Sequence, residues 1–262
     1  MRALLATCVV VAAACGENRT PPGAPPDAGA LACLPDLDGR ITAGELPDAL
    51  AGAARYYVST DVEVDLAGDS AWDLSEERAG DDVVTITAGP VAGRWYADDA
   101  PAADFAISEP DGTDGLYARD DAGVYLVGVA STDEDPDAGR TLLVYEQPVL
   151  LLRFPLADGD RHTATGTVTG GELLGLPYSG TDSYEVEVAG AGELHLPYVR
   201  FAPALRVRTA VTSEPAAGGV SITRRQTSFY FECSGELARA VSRAGETEAD
   251  FTVAAELRRF AL

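Results

Sequence analysis

The sequence predicts an all-β domain built on one large, curved antiparallel sheet with little helix. Three observations carry this reading. Apolar and polar residues alternate with a period of two through most of the chain after residue 54, as in strands with one buried face. Turn signals such as Gly68-Asp69-Ser70, Asp158-Gly159-Asp160 and Ala217-Gly218-Gly219 break the runs at about ten-residue spacing. The single helical candidate is the short stretch 46–54.

The chain of 262 residues opens on Met1-Arg2, an apolar run to Ala14, and then Cys15-Gly16. A positive start, an apolar centre and small residues at its end read as a secretory signal over residues 1–14. Ala12-Ala13-Ala14-Cys15 resembles the lipobox of bacterial lipoproteins, whose cysteine becomes the lipidated first residue after cleavage. The resemblance implies lipidation of Cys15. Gly16, in place of an Asp, implies sorting to the outer membrane, facing the periplasm or the cell surface. The other reading of these residues is an ordinary cleaved signal with an incidental cysteine. Residues 16–32 are mostly Pro, Gly and Ala, a spacer behind Cys15 with a reach of about 50 Å. The β domain is expected over 33–262.

Cys8 leaves with the signal and Cys15 takes the lipid, which leaves Cys33 and Cys233. In an exported chain the simplest outcome is a disulfide between them; free thiols or a metal site are the alternatives. Neither cysteine has another Cys or a His at zinc-ligand spacing.

The strands follow in order. Tyr56, Val58, Thr60, Val62, Val64 and Leu66 form a stripe opposite Arg55, Ser59, Asp61, Glu63 and Asp65. Val84 and Ile86 come next, then Val124, Leu126 and Val129. Tyr184, Val186 and Val188 alternate with Glu185 and Glu187, and Leu205, Val207 and Val211 with Arg206 and Arg208. Phe229, Phe231 and Cys233 share a face of a long strand; Phe251, Val253, Ala255 and Leu257 line the last. The pattern predicts one apolar layer containing Val186, Val188, Leu205, Val207, Phe229, Phe231, Val253 and Leu257. Glu185, Glu187, Arg206 and Arg208 are expected on the wetter side. Residues 132–139, TDEDPDAG, read as a domain linker or a long hairpin loop. A single sheet is preferred, because Cys33 and Cys233 would tie its ends together.

Gly192-Glu193-Leu194-His195-Leu196-Pro197, followed by Phe201 and Leu205-Arg206-Val207-Arg208, resembles a hairpin of exported bacterial proteins with the half-barrel of the LolA/LppX lipoprotein carriers. The resemblance covers about twenty residues. It implies a half-barrel or open barrel whose concave face holds acyl chains.

Composition removes several classes of function. The net charge of −23 repels nucleic acid and anionic headgroups. All 19 basic residues are Arg, so lysine Schiff-base and P-loop chemistry are absent. There is no G-x-S-x-G, H-E-x-x-H or C-x-x-C. His162 and His195 alternate with small or apolar neighbours, as groove-lining or surface residues do. Carboxylates two apart (Asp61/Glu63, Glu185/Glu187, Asp133/Asp135) share a strand face as a glycosidase pair would. With 42 acidic residues such pairs are expected on any solvated sheet.

The string Asp36-Leu37-Asp38-Gly39-Arg40-Ile41-Thr42-Ala43-Gly44-Glu45 resembles the second half of an EF-hand loop. It makes Asp36, Asp38 and Glu45 calcium candidates, with the Arg40 carbonyl as a further oxygen. The loop's first ligand position falls on Leu34, and the other reading is a polar Asp-Gly turn.

The expected function is a lipid-anchored envelope protein, not an enzyme. It binds a hydrophobic or lipidic ligand on a concave sheet, or an envelope partner, and needs no cofactor unless calcium. The alternatives are a calcium-dependent surface interaction protein and a secreted hydrolase using carboxylates.

Overall fold

The computed structural model describes residues 33–49 and 52–262. The signal, Cys15, the spacer and positions 50 and 51 lie outside the described residues. The strands are β1 (Arg40–Ile41), β2 (Ala53–Glu63), β3 (Ala71–Asp73), β4 (Asp82–Pro90) and β5 (Phe105–Ser108). After them come β6 (Thr113–Arg119), β7 (Gly123–Ser131), β8 (Leu142–Arg153), β9 (Leu156–Ala157) and β10 (Arg161–Leu173). The chain ends on β11 (Leu176–Leu196), β12 (Val199–Pro215), β13 (Ile222–Phe231), β14 (Gly235–Ser242) and β15 (Val253–Phe260).

Twelve of these strands close into an antiparallel barrel in the order β2-β4-β5-β6-β7-β8-β10-β11-β12-β13-β14-β15, with β15 returning to β2. The expected all-β class is observed; the half-barrel or open barrel is not. The ring closes through β10 and β11, paired from Arg161↔Glu187 to Leu173↔Leu176. That hairpin turns on Leu174 (φ 50°) and Gly175 (φ 77°), the two positive-φ residues of a turn whose twist matches its strands. Closure pairs the backbone groups that two free edges would expose. Residue alternation reports which faces are buried, but not whether the edges meet.

The described residues of the segment 46–54 form no α-helix, and none occurs elsewhere among the described residues. Ala53 and Ala54 already belong to β2, and the Leu46 and Pro47 carbonyls accept hydrogen bonds from Arg119 (both 2.7 Å) in place of helical donors. Residues 132–139 are the loop between β7 and β8, and residues 33–262 form a single unit.

The expected single apolar layer is two layers, one on each face of the sheet. The pairing sets Val207 opposite Ser228 and Leu205 opposite Tyr230, whereas Phe229 lies opposite Arg206. Val186, Val188, Leu205 and Val207 therefore face the lumen, where they pack with Val124, Leu152 and two residues from the β1–β9 pair, Ile41 and Leu156. Phe229 and Leu257 pack on the outer face with Trp72, Leu66, Leu74, Leu194 and Phe251, and Phe231 leans against the same cluster. Residues 64–76, a strap containing β3, cover this face, and β3 pairs in parallel with β11. Gly192 admits the strap: a Cβ there would sit 2.2 Å from the Ser70 carbonyl oxygen.

The strap also buries Arg206, expected on the wet side; the residue is 2 % exposed. Its guanidinium donates to the Leu66 and Ala189 carbonyls (both 2.7 Å) and lies over the Trp72 ring, 4.9 Å from its centre. Burial lowers its pKa, and the nearby Arg208 acts in the same direction. Arg259, fully buried, donates to the Leu74 and Glu76 carbonyls and to Asp81 in the same way. Glu185, Glu187 and Arg208 do lie on the outer face, where Glu187 pairs with Arg161 and Arg208 with Asp250.

Candidate functional site

The alternation that places Val207 and Tyr230 inside the barrel leaves the lumen incompletely filled. A cavity of about 640 Å³ runs along it, within the range of small-molecule sites. One wall is apolar: Ile86 and Ala88 from β4, Phe105 and Ile107 from β5, Leu126 from β7 and Val211 from β12. Phe105 stacks on Tyr117, with ring centres 5.6 Å apart. Leu46, Pro47 and Ala49 line one end of the cavity.

A second stretch of the lining, separated from β4 only by β2, is polar. Glu236 and Arg239 from β14 and Arg258 from β15 line the cavity. Arg239 lies 2.7 Å from Glu236 and 3.5 Å from Glu109. Arg258 lies 2.5 Å from both Glu109 and Glu256. Three carboxylates thus surround two guanidiniums, and neither cation is left for an anionic ligand. Burial pushes the Glu236 carboxyl up, but Arg239, together with Ser228 and Arg258, outweighs it and holds the group below its ordinary value. Burial alone would weaken the Arg239 cation; Glu236 and Glu109 raise its pKa well above the usual value. Burial pushes the Tyr117 hydroxyl up to about 12, and those of Tyr56 and Tyr230 also rise. These phenols stay neutral; Tyr56 donates to the Glu236 carbonyl (2.8 Å) and Tyr230 to its Oε1 (3.4 Å), and their oxygens can still accept. A second polar point is Tyr145, whose hydroxyl donates to Asp182 (2.6 Å) and lies 2.8 Å from the Tyr184 hydroxyl.

Tyr56, Ile86, Leu126, Tyr184 and Val211 were read from the sequence only as apolar stripe positions, and Glu236, Arg239 and Arg258 were not singled out. A signal was there: Glu236, Arg239 and Arg258 are charges in otherwise apolar strands, and adjacent Arg258 and Arg259 must point to opposite faces.

The histidines do not meet a nucleophile. His162 faces the lumen with its Nε2 3.2 Å from the Leu150 carbonyl oxygen, and burial lowers its pKa. The His195 ring lies 2.9 Å from Glu193. Of the paired carboxylates, Asp61 is held by Arg243, and Glu185 and Glu187 face outward.

At the end of β13 the expected disulfide is present, joining Cys33 and Cys233 with Cα atoms 5.5 Å apart. It closes a separation of 200 residues, worth about 5 kcal/mol in the chain-entropy account. The Cys233 amide also donates to the Glu45 carbonyl at 2.7 Å. The calcium candidates separate here. Glu45 turns to its own loop, where its Oε2 accepts from the amide and the hydroxyl of Thr42 (2.9 and 2.7 Å). Asp36 and Asp38 stay together, and the carboxylate that joins them is Glu232, with one oxygen of each within 4.8 Å of the others. Glu232 was findable in principle, because it precedes Cys233 and Asp36 follows Cys33 by three.

No protein-family model, curated protein or solved structure matches this chain.

Proposed function

We propose that this chain is an exported, lipid-anchored binding protein whose barrel lumen takes up an uncharged hydrophobic ligand. The observation that carries the reading is the cavity of about 640 Å³ with one apolar wall. Burial of apolar ligand surface supplies roughly 25 cal/mol per Å². The polar wall then selects. Its Arg groups are already matched by Glu109, Glu236 and Glu256, so a fatty-acid carboxylate gains no free cation and meets an excess of negative charge. A neutral ligand with a hydroxyl or amide fits better, because the Tyr117 hydroxyl can donate to it and the hydroxyl oxygens of Tyr56 and Tyr230 can accept from it.

The outer face supports a barrel in water. Arg161, Glu185, Glu187 and Arg208 point outward while Ile86, Phe105, Ile107, Leu126 and Val211 point inward, the reverse of a barrel immersed in lipid. The membrane is then met through Cys15, with the spacer holding the barrel off the surface. On this reading Cys15→Ser shifts the protein from the detergent phase to the soluble fraction, and an unacylated wild-type protein overturns the anchor.

Binding is tested with a neutral apolar fluorophore, N-phenyl-1-naphthylamine, titrated against the purified protein. Wild type should enhance its emission saturably. Ala88→Phe, which fills the lumen from the apolar wall, should weaken binding at least about tenfold, or 1.4 kcal/mol. Equal binding by the two folded proteins would overturn the lumen as the site.

A further inference from the structure

We infer that Asp36, Asp38 and Glu232 form a calcium site that fastens the start of the domain to the end of β13. The inference is independent of the ligand in the lumen. One carboxylate oxygen of each residue lies within 4.8 Å of the other two, close enough for a single ion. Asp36 and Asp38 are exposed, but Glu232 is 1 % exposed. Its Oε2 accepts the Leu37 amide at 2.7 Å, and its Oε1 is buried with no hydrogen-bond partner. A buried carboxylate oxygen without a partner is costly, and two more carboxylates beside it add repulsion. A cation between the three removes both penalties.

The donor set selects the ion. All three ligands are hard oxygens, and the nearby sulfurs are locked in the disulfide, so zinc and copper have no soft donor. Asp36 Oδ1 accepts the Asp38 amide (3.1 Å) and Asp38 Oδ1 the Arg40 amide (2.7 Å). These bonds orient the two side chains and leave the second oxygen of each for the ion. Water completes the shell on the exposed side. Calcium tolerates such an irregular shell, whereas magnesium demands a near-ideal octahedron. Asp36 and Asp38 come from the first residues of the domain and Glu232 from some 195 residues later, so the ion repeats non-covalently the link made by the adjacent disulfide.

The test is calorimetric titration of the purified full chain with calcium, with melting midpoints followed in parallel. We expect one site with a dissociation constant of about 10⁻⁴–10⁻³ M, the range of extracellular modules, and a midpoint that rises with calcium. Glu232→Gln keeps the Leu37 contact but removes the buried charge, and Asp38→Asn changes an exposed ligand without touching the core. Each should weaken binding at least about tenfold, while Asp135→Asn, in the β7–β8 loop, should leave it unchanged. If Glu232→Gln does not fold, Asp38→Asn decides alone. No heat and no midpoint shift at about 10 mM calcium would overturn the site. Equal effects of calcium and magnesium, or equal loss in Asp135→Asn, would overturn it too, since they mark diffuse screening of an acidic protein.

Discussion

The two faces of β12 to β15 use the same strands in opposite ways. Outside, under the strap, Phe229, Trp72, Leu66, Leu194 and Leu257 are all at most 2 % exposed, and the buried guanidiniums of Arg206 and Arg259 hold the strap's carbonyls. Inside, the same strands present Val207, Ser228, Tyr230, Arg239 and Arg258 to a cavity. Packing density stabilises and unfilled space binds, and a barrel with a covered wall can devote one face to each. A one-residue step along β13, from Phe229 to Tyr230, passes from one role to the other.

The largest expected effect breaks the packed face. Phe229→Ala removes a ring 5.1 Å from Trp72 and should cost about 3–5 kcal/mol, read from urea midpoints; a cost below about 1 kcal/mol would mean that the strap is not packed there. Arg206→Ala comes next, at about 3 kcal/mol, because two charge-assisted bonds are lost and two carbonyls are left without a donor. Arg208→Ala, half-buried beside Asp250, should cost about 1 kcal/mol or less. Similar midpoints for the two arginine variants would contradict the difference in burial between neighbours on one face. Gly192→Ala should cost about 1–3 kcal/mol through the clash with Ser70 and should raise protease cleavage within 64–76 first.

Acid acts on both faces in one direction. Glu236 is held below its ordinary pKa of 4.5, so the unfolded chain takes up the proton first. Its contribution is complete above about pH 4.5 and is lost as the pH falls through the lower folded value. Asp81, where hydrogen bonds from Ser59, Arg78 and Arg259 outweigh burial, behaves in the same direction. Glu236→Gln should flatten the decline in urea midpoint between pH 5 and pH 3, and an unchanged slope would remove the lumen cluster from the acid response. The smallest effect belongs to the open space: Ala88→Phe, which weakens ligand uptake at least about tenfold on the proposed reading, should change stability by under about 1 kcal/mol, since a cavity accepts the ring that a packed core would resist.

The strand class, the disulfide and the face of most residues within a strand were readable from the sequence, because period-two alternation and two leftover cysteines are local or arithmetical signals. The expected stripe from Tyr56 to Leu66 is the exception, because the backbone turns at Asp61 (φ 52°), and Val62, Val64 and Leu66 pack outside while Tyr56 lines the lumen. Val186, Val188, Leu205 and Val207 do share a layer, and Glu185, Glu187 and Arg208 do lie opposite. The relation between strands was not readable. Placing Phe229 with Val207 required the register of β12 on β13, which backbone pairing decides and composition does not. Closure was equally hidden, since an edge that meets another edge has the same residues as one that meets water. Arg206 looked solvated because its own strand cannot report a strap that arrives from residues 64–76.

The sequence by itself determined that the chain folds as antiparallel β structure and, where a strand runs without a break such as that at Asp61, which residues oppose which along it, because the 180° alternation of side chains is a property of the extended backbone. Only the tertiary structure decided that the sheet closes, that both faces of β12 to β15 are covered, and that Glu232 stands beside Asp36 and Asp38. Those are meetings of segments up to some 195 residues apart, set by register, twist and the need to pair every edge.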